Sequence, residues 1–226
     1  CSSDLLQRVL APQPGFLKGL REVTAHYGIS LIFDEVVTGF RLALGGAQEY
    51  YGVIPDLVAY GKALGGGYPI GVVAGRADIM DWLREDRIGS DDYVWMASTL
   101  GGNPVSMAAA NAVLGVLRRP GTYQDLHETG AYFRRSLARV LRDRRVPGQV
   151  IGDGPLAQIV FSSDPVDDYR STARGDKELG RRVILDLFEK GVFLNPMGTK
   201  LYLSIAHDEG ACDEFCRRLD TVLAAL

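Results

Sequence analysis

The sequence predicts an α/β protein with a mainly parallel sheet, followed by a smaller α+β domain. Two apolar runs predict the sheet: residues 30–34, which end at Asp34 and are followed by Glu35, and residues 56–60, which lead to Lys62. Such runs, with charge only where they stop, are typical of central parallel strands covered on both faces. Ligands of open α/β sheets bind at the carboxyl ends of such strands. In the last third of the chain, short apolar runs alternate with helical patterns, which predicts the second domain.

The first domain is predicted to open with a helix over residues 15–27, where apolar residues recur at helical spacing, and Gly28 ends it. Asn103 is a predicted N-cap and Pro104 a first-turn residue of a long helix. Between the two helices we expect, in order, the strand 30–34, a glycine-containing loop over 39–46, one helical turn over 47–51, the strand 56–60, a third apolar run over 70–74, a short helix over 77–83 and a charged loop over 84–95.

A domain boundary is predicted near residue 119, because Pro120 and Gly121 break the long helix. The two domains are therefore residues 1–118 and 119–226. The second is expected to contain helices over 123–145, 176–190 and 210–225, strands over 157–161, 192–194 and 201–205, and a mobile polar loop over 162–175. Arginines along the first of these helices favour a solvated face over an anion-binding stripe.

Composition excludes several classes of function. The 226 residues are 46% apolar and 23% charged, which predicts a packed core, and the net charge of -3 gives no reason to expect nucleic acid or an anionic membrane as a partner. No apolar run approaches the roughly 20 residues of a spanning helix. Three cysteines without framework spacing favour the reducing cytoplasm. Cys212, Cys216 and His207 are too few for a convincing metal site, so we expect no metal and interpret both cysteines as buried small hydrophobes.

Lys62 stands out because a lone lysine separates an apolar strand from the glycines of residues 65–67. We expect its amine to be partly desolvated, which makes an amine a better nucleophile. An exposed lysine at a strand end is the ordinary alternative.

Several ordered segments resemble the class III aminotransferases, which use pyridoxal 5'-phosphate (PLP), and most of all their glutamate-1-semialdehyde aminomutase branch. Residues 31–41 resemble the active-site strand of that family, and residues 61–71 resemble its lysine segment. Residues 45–52, 55–57 and 99–104 continue the resemblance. Because these motifs are ordered and span about seventy residues, they are more specific than an isolated glycine pattern.

The resemblance implies a PLP-dependent transferase of fold type I and a role for each matching residue. Lys62 would be catalytic and would form the Schiff base with PLP, and Asp34 would face the pyridine nitrogen. Val36 would pack on the cofactor ring. Thr99 would reach the phosphate of PLP held by a neighbouring subunit, which implies a homodimer with shared active sites. Glu35 lies on the opposite side of the strand from Asp34, so we interpret it as organising the adjoining loop.

Each role has an ordinary alternative in the residue pattern itself. Asp34 could cap a loop backbone, Val36 could be plain core, and Thr99 could belong to an ordinary loop before a helix. The family's phosphate-binding loop, Gly-Thr/Ser-Glu-Ala, does not occur in the sequence. We therefore expect the chain to be the C-terminal portion of a longer protein, with low activity on its own.

The resemblance implies amino-group transfer from a small-molecule amino donor to a keto acid or aldehyde acceptor, and it leaves 1,2-amino migration and racemisation open. Residues 201–204 lack an arginine that could clamp a carboxylate, and Lys200 is the nearest cation, which favours semialdehyde-like or amino-sugar-like substrates. The alternative is a catalytically inactive, truncated module that acts in dimerisation or regulation.

Overall fold

The computed structural model describes residues 9–195 and 199–226. These residues form two compact units, the first Gln13–Pro120 and the second Gly121–Leu226 together with residues 9–12. Each unit contains its own three-stranded sheet. No helix in the described ranges is long and apolar enough to cross a membrane.

The predicted helices and strands of the first unit are confirmed, with ends that shift by one or two residues, except that the helix predicted over 77–83 is α-helical only to Met80 and continues as a 3-10 turn. In chain order they are α1 (Phe16–His26), β1 (Ile32–Asp34), α2 (Ala47–Tyr50), β2 (Leu57–Gly61), a 3-10 helix (Lys62–Gly65), β3 (Gly71–Gly75), α3 (Ala77–Met80), 3-10 turns at Asp81–Leu83 and Glu85–Arg87, and α4 (Pro104–Leu117). The long helix begins as predicted, because the Asn103 side chain accepts a hydrogen bond from the backbone N–H of Ser106.

The sheet of the first unit is mixed. β1 and β2 are parallel, and Asp34 pairs with Ala59 in their register. The backbone N–H of Glu35 then donates to the carbonyl of Ala59 over 2.8 Å, which prolongs the pairing by one residue. β3 runs antiparallel to β2. Because β1 and β2 run in the same direction, Asp34 at the end of β1 and Lys62 directly after β2 lie at the same edge of the sheet.

Among the residues that the structure describes, one face of this sheet is covered and the other is open. The covered face packs against α1 through an apolar cluster formed by Leu17, Leu20, Leu31, Phe33 and Val58. On the opposite face, Ile32 is 53% exposed and Val73 is 48% exposed. Within the described residues the predicted cover is therefore found on one face, since side chains alternate along a strand and α1 packs on that side.

Asp56 ties three elements of the first unit together. Its buried carboxylate accepts hydrogen bonds from the Leu31 backbone N–H at 2.7 Å, from Arg21 at 2.8 Å and from Arg76 at 3.0 Å. The Leu31 N–H and the two guanidinium groups lower the pKa of Asp56 to about 2, although burial opposes the shift. The carboxylate thereby joins the starts of β1 and β2 to α1 and to the end of β3.

We expect Asp56→Asn to lower the free energy of unfolding by about 1–2 kcal/mol, because it removes a hydrogen-bonded charge whose partner Arg76 is half exposed and screened by water. Since the folded pKa is lowered, the contribution of Asp56 is present above its ordinary pKa near 4 and is lost as the pH falls toward 2. Urea unfolding of the purified protein between pH 2 and pH 6 measures both effects. Asp78→Asn is the control, because exposed Asp78 shares Arg76 with Asp56. An equal loss in both variants, or a loss that grows toward pH 2, would contradict this account.

The second unit packs three long helices against its sheet. In chain order its elements are α5 (Thr122–Asp143), β4 (Gln149–Ile151), β5 (Leu156–Val160), α6 (Tyr169–Ala173), α7 (Lys177–Glu189), β6 (Lys200–Tyr202) and α8 (Glu209–Leu223). β5 is the central strand and pairs antiparallel with both β4 and β6. The predicted helices are confirmed, and α5 buries the predicted face, which contains Leu126, Phe133, Leu137 and Leu141.

Two sequence predictions for this unit are wrong, and one strand was missed. Residues 192–194 form no strand, because Val192 and Leu194 pack on the apolar core without joining a ladder. β4 was not predicted. Its three residues are a strand because they pair with β5, and no local pattern indicates that pairing. The expected loop over 162–175 contains α6, which the Asp168 and Ser171 side chains stabilise through a reciprocal capping box.

Cys212 and Cys216 confirm the interpretation as buried small hydrophobes. Both lie in the apolar core of the second unit, with 2% and 7% of their surface exposed. Burial raises the pKa of Cys212 to about 11 and that of Cys216 to about 12, so both thiols stay protonated at neutral pH. Within the described ranges, no group of three or more His, Cys, Asp or Glu side chains is placed to hold a metal.

Candidate active site

The carboxyl edge of β1 and β2 carries the residues that the sequence singled out. β1 ends at Asp34, and Lys62 directly follows the last residue of β2. A Cβ placed on Gly61 would lie 3.6 Å from Cγ1 of Val36, so Val36 packs beside the residue that precedes Lys62. The structure therefore brings Asp34, Val36 and Lys62 to one edge of the sheet.

The backbone of Lys62 is unusual. Its φ of +43° lies in the left-handed region, which residues other than glycine rarely adopt. The strand alternation places Asp34, Ala59 and Gly61 on one face, and a continued strand would place Lys62 on the other, with Tyr60. The left-handed residue ends that alternation and starts the 3-10 helix Lys62–Gly65.

The Lys62 side chain is exposed, so the predicted partial desolvation is not provided by the elements of this chain. An exposed amine at the end of a strand can react with a carbonyl group of a small molecule.

The turn after Lys62 is packed tightly on its inner side. A Cβ placed on Gly65 would lie 2.9 Å from Cγ2 of Ile70, and one on Gly66, whose φ is +58°, would lie 2.8 Å from Cγ2 of Val113 in α4. The Ser106 hydroxyl, also in α4, donates to the carbonyl of Pro69 at 2.7 Å. Glycine is needed at these positions because the helix approaches the turn so closely.

Asp34 is half-buried, and its Oδ1 accepts a hydrogen bond from the Val36 backbone N–H at 3.1 Å. This contact is the loop-capping arrangement that the sequence allowed as an alternative for Asp34. This contact does not exclude further partners, because a carboxylate accepts several hydrogen bonds.

Glu35 organises the adjoining loop, as the sequence predicted. Its carboxylate is 1% exposed and accepts hydrogen bonds from the backbone N–H groups of Ala47 and Gln48 at the start of α2, and from the Thr38 hydroxyl. Burial raises the pKa of Glu35, while these three donors oppose the shift. A Cβ on Gly46 would lie 2.2 Å from Oε2 of Glu35, so the loop closes directly over the carboxylate.

Sequence reasoning missed Tyr60 and Gln48. The Gln48 amide donates to the Tyr60 hydroxyl oxygen, and the Tyr60 ring packs 5.1 Å from the ring of Phe40. Burial, followed by the charge of Glu35, raises the pKa of Tyr60. The signal was present in the strand period, which places Tyr60 on the same face as Glu35, two residues before Lys62.

Thr99 is exposed and lies in a turn shortly before α4. The N-terminus of α4 is already capped by Asn103, whose amide also donates to the Leu100 carbonyl at 2.9 Å. The role of Thr99 at the phosphate of PLP remains a prediction. Beside the Lys62 turn and α4 lies an open apolar depression, lined by Tyr68, Pro104, Val105, Ala108 and Ala109.

A family model described as aminotransferase class-III matches residues 9–223. The chain belongs to the class-III aminotransferase family. The resemblance stated from the sequence motifs is thereby confirmed. Two of those motifs, residues 31–41 and 61–71, contain Asp34, Val36 and Lys62 at the sheet edge described above.

Individual relatives support the same assignment. The chain is 43% identical over 185 residues to the glutamate-1-semialdehyde 2,1-aminomutase of Desulfotalea psychrophila, a match covering 82% of this chain and 42% of the relative. An omega-transaminase from Sphaerobacter thermophilus aligns with a TM-score of 0.85 and 36% identity, over 94% of this chain and 48% of that chain. A transaminase with PLP bound aligns with a TM-score of 0.82 and 25% identity, over 96% and 49% of the two chains. The predicted fold of the PLP-dependent transferases is therefore confirmed.

The chain spans about half the length of the curated relatives that it matches. Among the class-III aminotransferases it therefore corresponds to part of the usual length.

Proposed function

We propose that this chain carries out PLP-dependent amino-group transfer, as an aminotransferase or a glutamate-1-semialdehyde 2,1-aminomutase. The observation that carries the proposal is the exposed amine of Lys62 on a left-handed turn, at the edge where the neighbouring parallel strand ends in Asp34. The proposal is supported by the names of two relatives, one a glutamate-1-semialdehyde 2,1-aminomutase and the other an omega-transaminase.

The residues at this edge fit PLP by their chemistry. When bound, PLP supplies an aldehyde and an electron-accepting ring that stabilises negative charge on the substrate carbon. Lys62 would hold the aldehyde carbon of PLP through its amine, and as a free amine it would move a proton at the substrate Cα. Asp34 would keep the pyridine nitrogen protonated through its negative charge. Val36, which packs beside Gly61, would contact the face of the ring.

This chain offers fewer binding groups for the phosphate of PLP than for its aldehyde and its ring. A dianionic phosphate is bound by several N–H donors, often at a helix N-terminus. Thr99 is exposed and could donate its hydroxyl and backbone N–H to a phosphate held by a second copy. We therefore propose a homodimer with shared active sites, and the open apolar depression beside α4 supports a partner on that side.

The proposed substrates are a small-molecule amino donor and a keto acid or aldehyde acceptor. Glutamate-1-semialdehyde contains an amino group and an aldehyde in one molecule, and exchanging them gives 5-amino-4-oxopentanoate with no net change in atoms. The absence of arginine from residues 201–204, where Lys200 is the nearest cation, favours such a semialdehyde over a simple α-amino acid. We also propose a cytoplasmic location, which the free thiols of Cys212 and Cys216 support.

Borohydride reduction of the full-length protein in the presence of PLP tests this function. We expect a visible absorbance band that borohydride bleaches, and peptide mapping that finds the pyridoxyl group on Lys62, because this amine lies at the edge that ends in Asp34. Lys18, which is exposed on α1, is the internal control and should remain unlabelled. Label on another lysine would overturn the assignment of Lys62. Absence of both the band and the label would favour the inactive module in dimerisation or regulation.

A further inference from the structure

The left-handed backbone of Lys62 requires support from its surroundings. A residue with a Cβ in this region costs on the order of 1–2 kcal/mol, and it persists only where neighbouring structure holds it. The inner side of the turn is held by Gly65, Gly66 and α4, as described above. The strand side has a different support, which begins at Glu35.

Glu35 anchors α2 from beneath the sheet edge. Its two carboxylate oxygens bind the backbone N–H groups of Ala47 and Gln48, the latter at 2.9 Å. These are the first N–H groups of α2, so the negative charge also lies where a helix N-terminus favours it. The position of the Gln48 side chain is thereby set by a carboxylate that is almost fully buried.

Gln48 connects α2 to Tyr60 in β2. Its side-chain amide donates to the Tyr60 hydroxyl oxygen. The Tyr60 ring is confined on another side, because a Cβ on Gly39 would lie 2.4 Å from its Cδ1. Phe40 packs at a ring distance of 5.1 Å. Tyr60 is therefore held by a hydrogen bond at its tip and by packing along its ring, two residues before Lys62.

We propose that Glu35, Gln48 and Tyr60 form a hydrogen-bonded chain that positions the Lys62 turn, which makes Tyr60 a positioning residue for the Lys62 amine. The chain acts from the face of the sheet opposite Asp34, because the register places Asp34, Ala59 and Gly61 on one face and Tyr60 on the other. It leaves the Asp34 face open to a ligand. Its consequence for catalysis rests on the proposed function of Lys62.

Tyr60→Phe tests this inference, because it removes the hydroxyl and keeps the ring. In the PLP-loaded full-length protein, with glutamate-1-semialdehyde as the substrate, we expect kcat to fall about five-fold, as for the loss of one net hydrogen bond, while KM stays within about two-fold. Gln48→Met removes the same hydrogen bond from its other end. Because both variants break one contact, the double variant should lose no more than either single one. Tyr27→Phe is the matched control, since Tyr27 is 70% exposed.

A second readout needs neither PLP nor activity. Trace labelling of the protein with acetic anhydride, followed by peptide mapping, gives the reactivity of Lys62 relative to Lys18 and Lys190 in the same sample. We expect the Lys62 to Lys18 ratio to change at least about two-fold in Tyr60→Phe, while the Lys190 to Lys18 ratio stays constant, because global unfolding would affect all three amines.

An unchanged Lys62 ratio in both single variants would overturn the positioning inference, as would losses of kcat that multiply in the double variant. If the unmodified protein neither isomerises the substrate nor binds PLP at Lys62, but the Lys62 ratio still changes in Tyr60→Phe, the proposed function fails and the positioning stands. The two failures are therefore distinguishable.

Discussion

Replacing Lys62 with alanine is expected to lower kcat of the full-length protein by on the order of 10³-fold or more. The variant removes the only group at this edge that we propose to bond to the cofactor and to move the proton at the substrate Cα, and positioned acid–base groups alone contribute about 10²–10⁴-fold. The free energy of unfolding should change little, because Lys62 is exposed and the left-handed backbone conformation costs alanine about as much as lysine. Steady-state kinetics and urea unfolding of the same preparation measure both quantities.

Lys18→Ala is the matched control for Lys62→Ala. Lys18 is an exposed lysine of the same unit, with 78% of its side chain accessible, and it pairs only at 3.9 Å with Glu22. We expect this variant to keep full activity. A small amine such as ethylamine, added at high concentration, should restore part of the activity of Lys62→Ala, since it can accept the proton that Lys62 no longer takes. Activity of Lys62→Ala within ten-fold of the unmodified protein would rule out the proposed role of the lysine.

The second large effect is expected for Asp34→Asn, which should lower kcat at least about 100-fold, or about 2.7 kcal/mol in the activation barrier. The amide keeps the size of the carboxylate but cannot hold a pyridine nitrogen in its protonated form by charge. The hydrogen bond from the Val36 N–H to Oδ1 can be kept by the asparagine oxygen. We therefore expect the free energy of unfolding to change by less than about 0.5 kcal/mol.

The comparison of Asp34→Asn with Asp34→Ala separates the two roles that the sequence left open for this residue. If Asp34 only caps the loop, asparagine should restore what alanine loses, because it retains the acceptor for Val36. If Asp34 also acts by its charge, both variants should be similarly inactive, and the alanine variant should in addition be less stable. Activity of Asp34→Asn within ten-fold of the unmodified protein would exclude Asp34 as the partner of the pyridine nitrogen.

Local pattern predicted the elements at this edge well. The apolar run before Asp34, the apolar run before Lys62 and the cap at Asn103 each depend on neighbouring residues, so their structures follow from short segments of sequence. Glu35 was predicted from the period of two to organise a loop, and its contacts with the start of α2 confirm it. These residues also carry the family motifs, so the family assignment needed no tertiary information.

Long-range pairing limited the prediction elsewhere. The direction of β3 depends on its hydrogen bonds with β2, and the existence of β4 depends on β5. Neither follows from the apolar pattern of the strand itself, because strand formation depends on the neighbouring strand with which a segment pairs. Residues 192–194 show the reverse case: they have an apolar pattern and pack on the core, but they do not pair with a strand.

The sequence by itself determined the family, the α/β fold and the placement of Asp34 and Lys62 after two apolar strands, because these features depend on residue order and on strand period. Only the tertiary structure decided the left-handed backbone of Lys62 and the link from Glu35 through Gln48 to Tyr60. The physical reason is that the link depends on contacts between segments 12 or 13 residues apart in the chain, and the Lys62 turn depends also on its packing against Val113 of α4. Such contacts form only when α2 folds against the sheet, so the sequence of a short segment does not predict them.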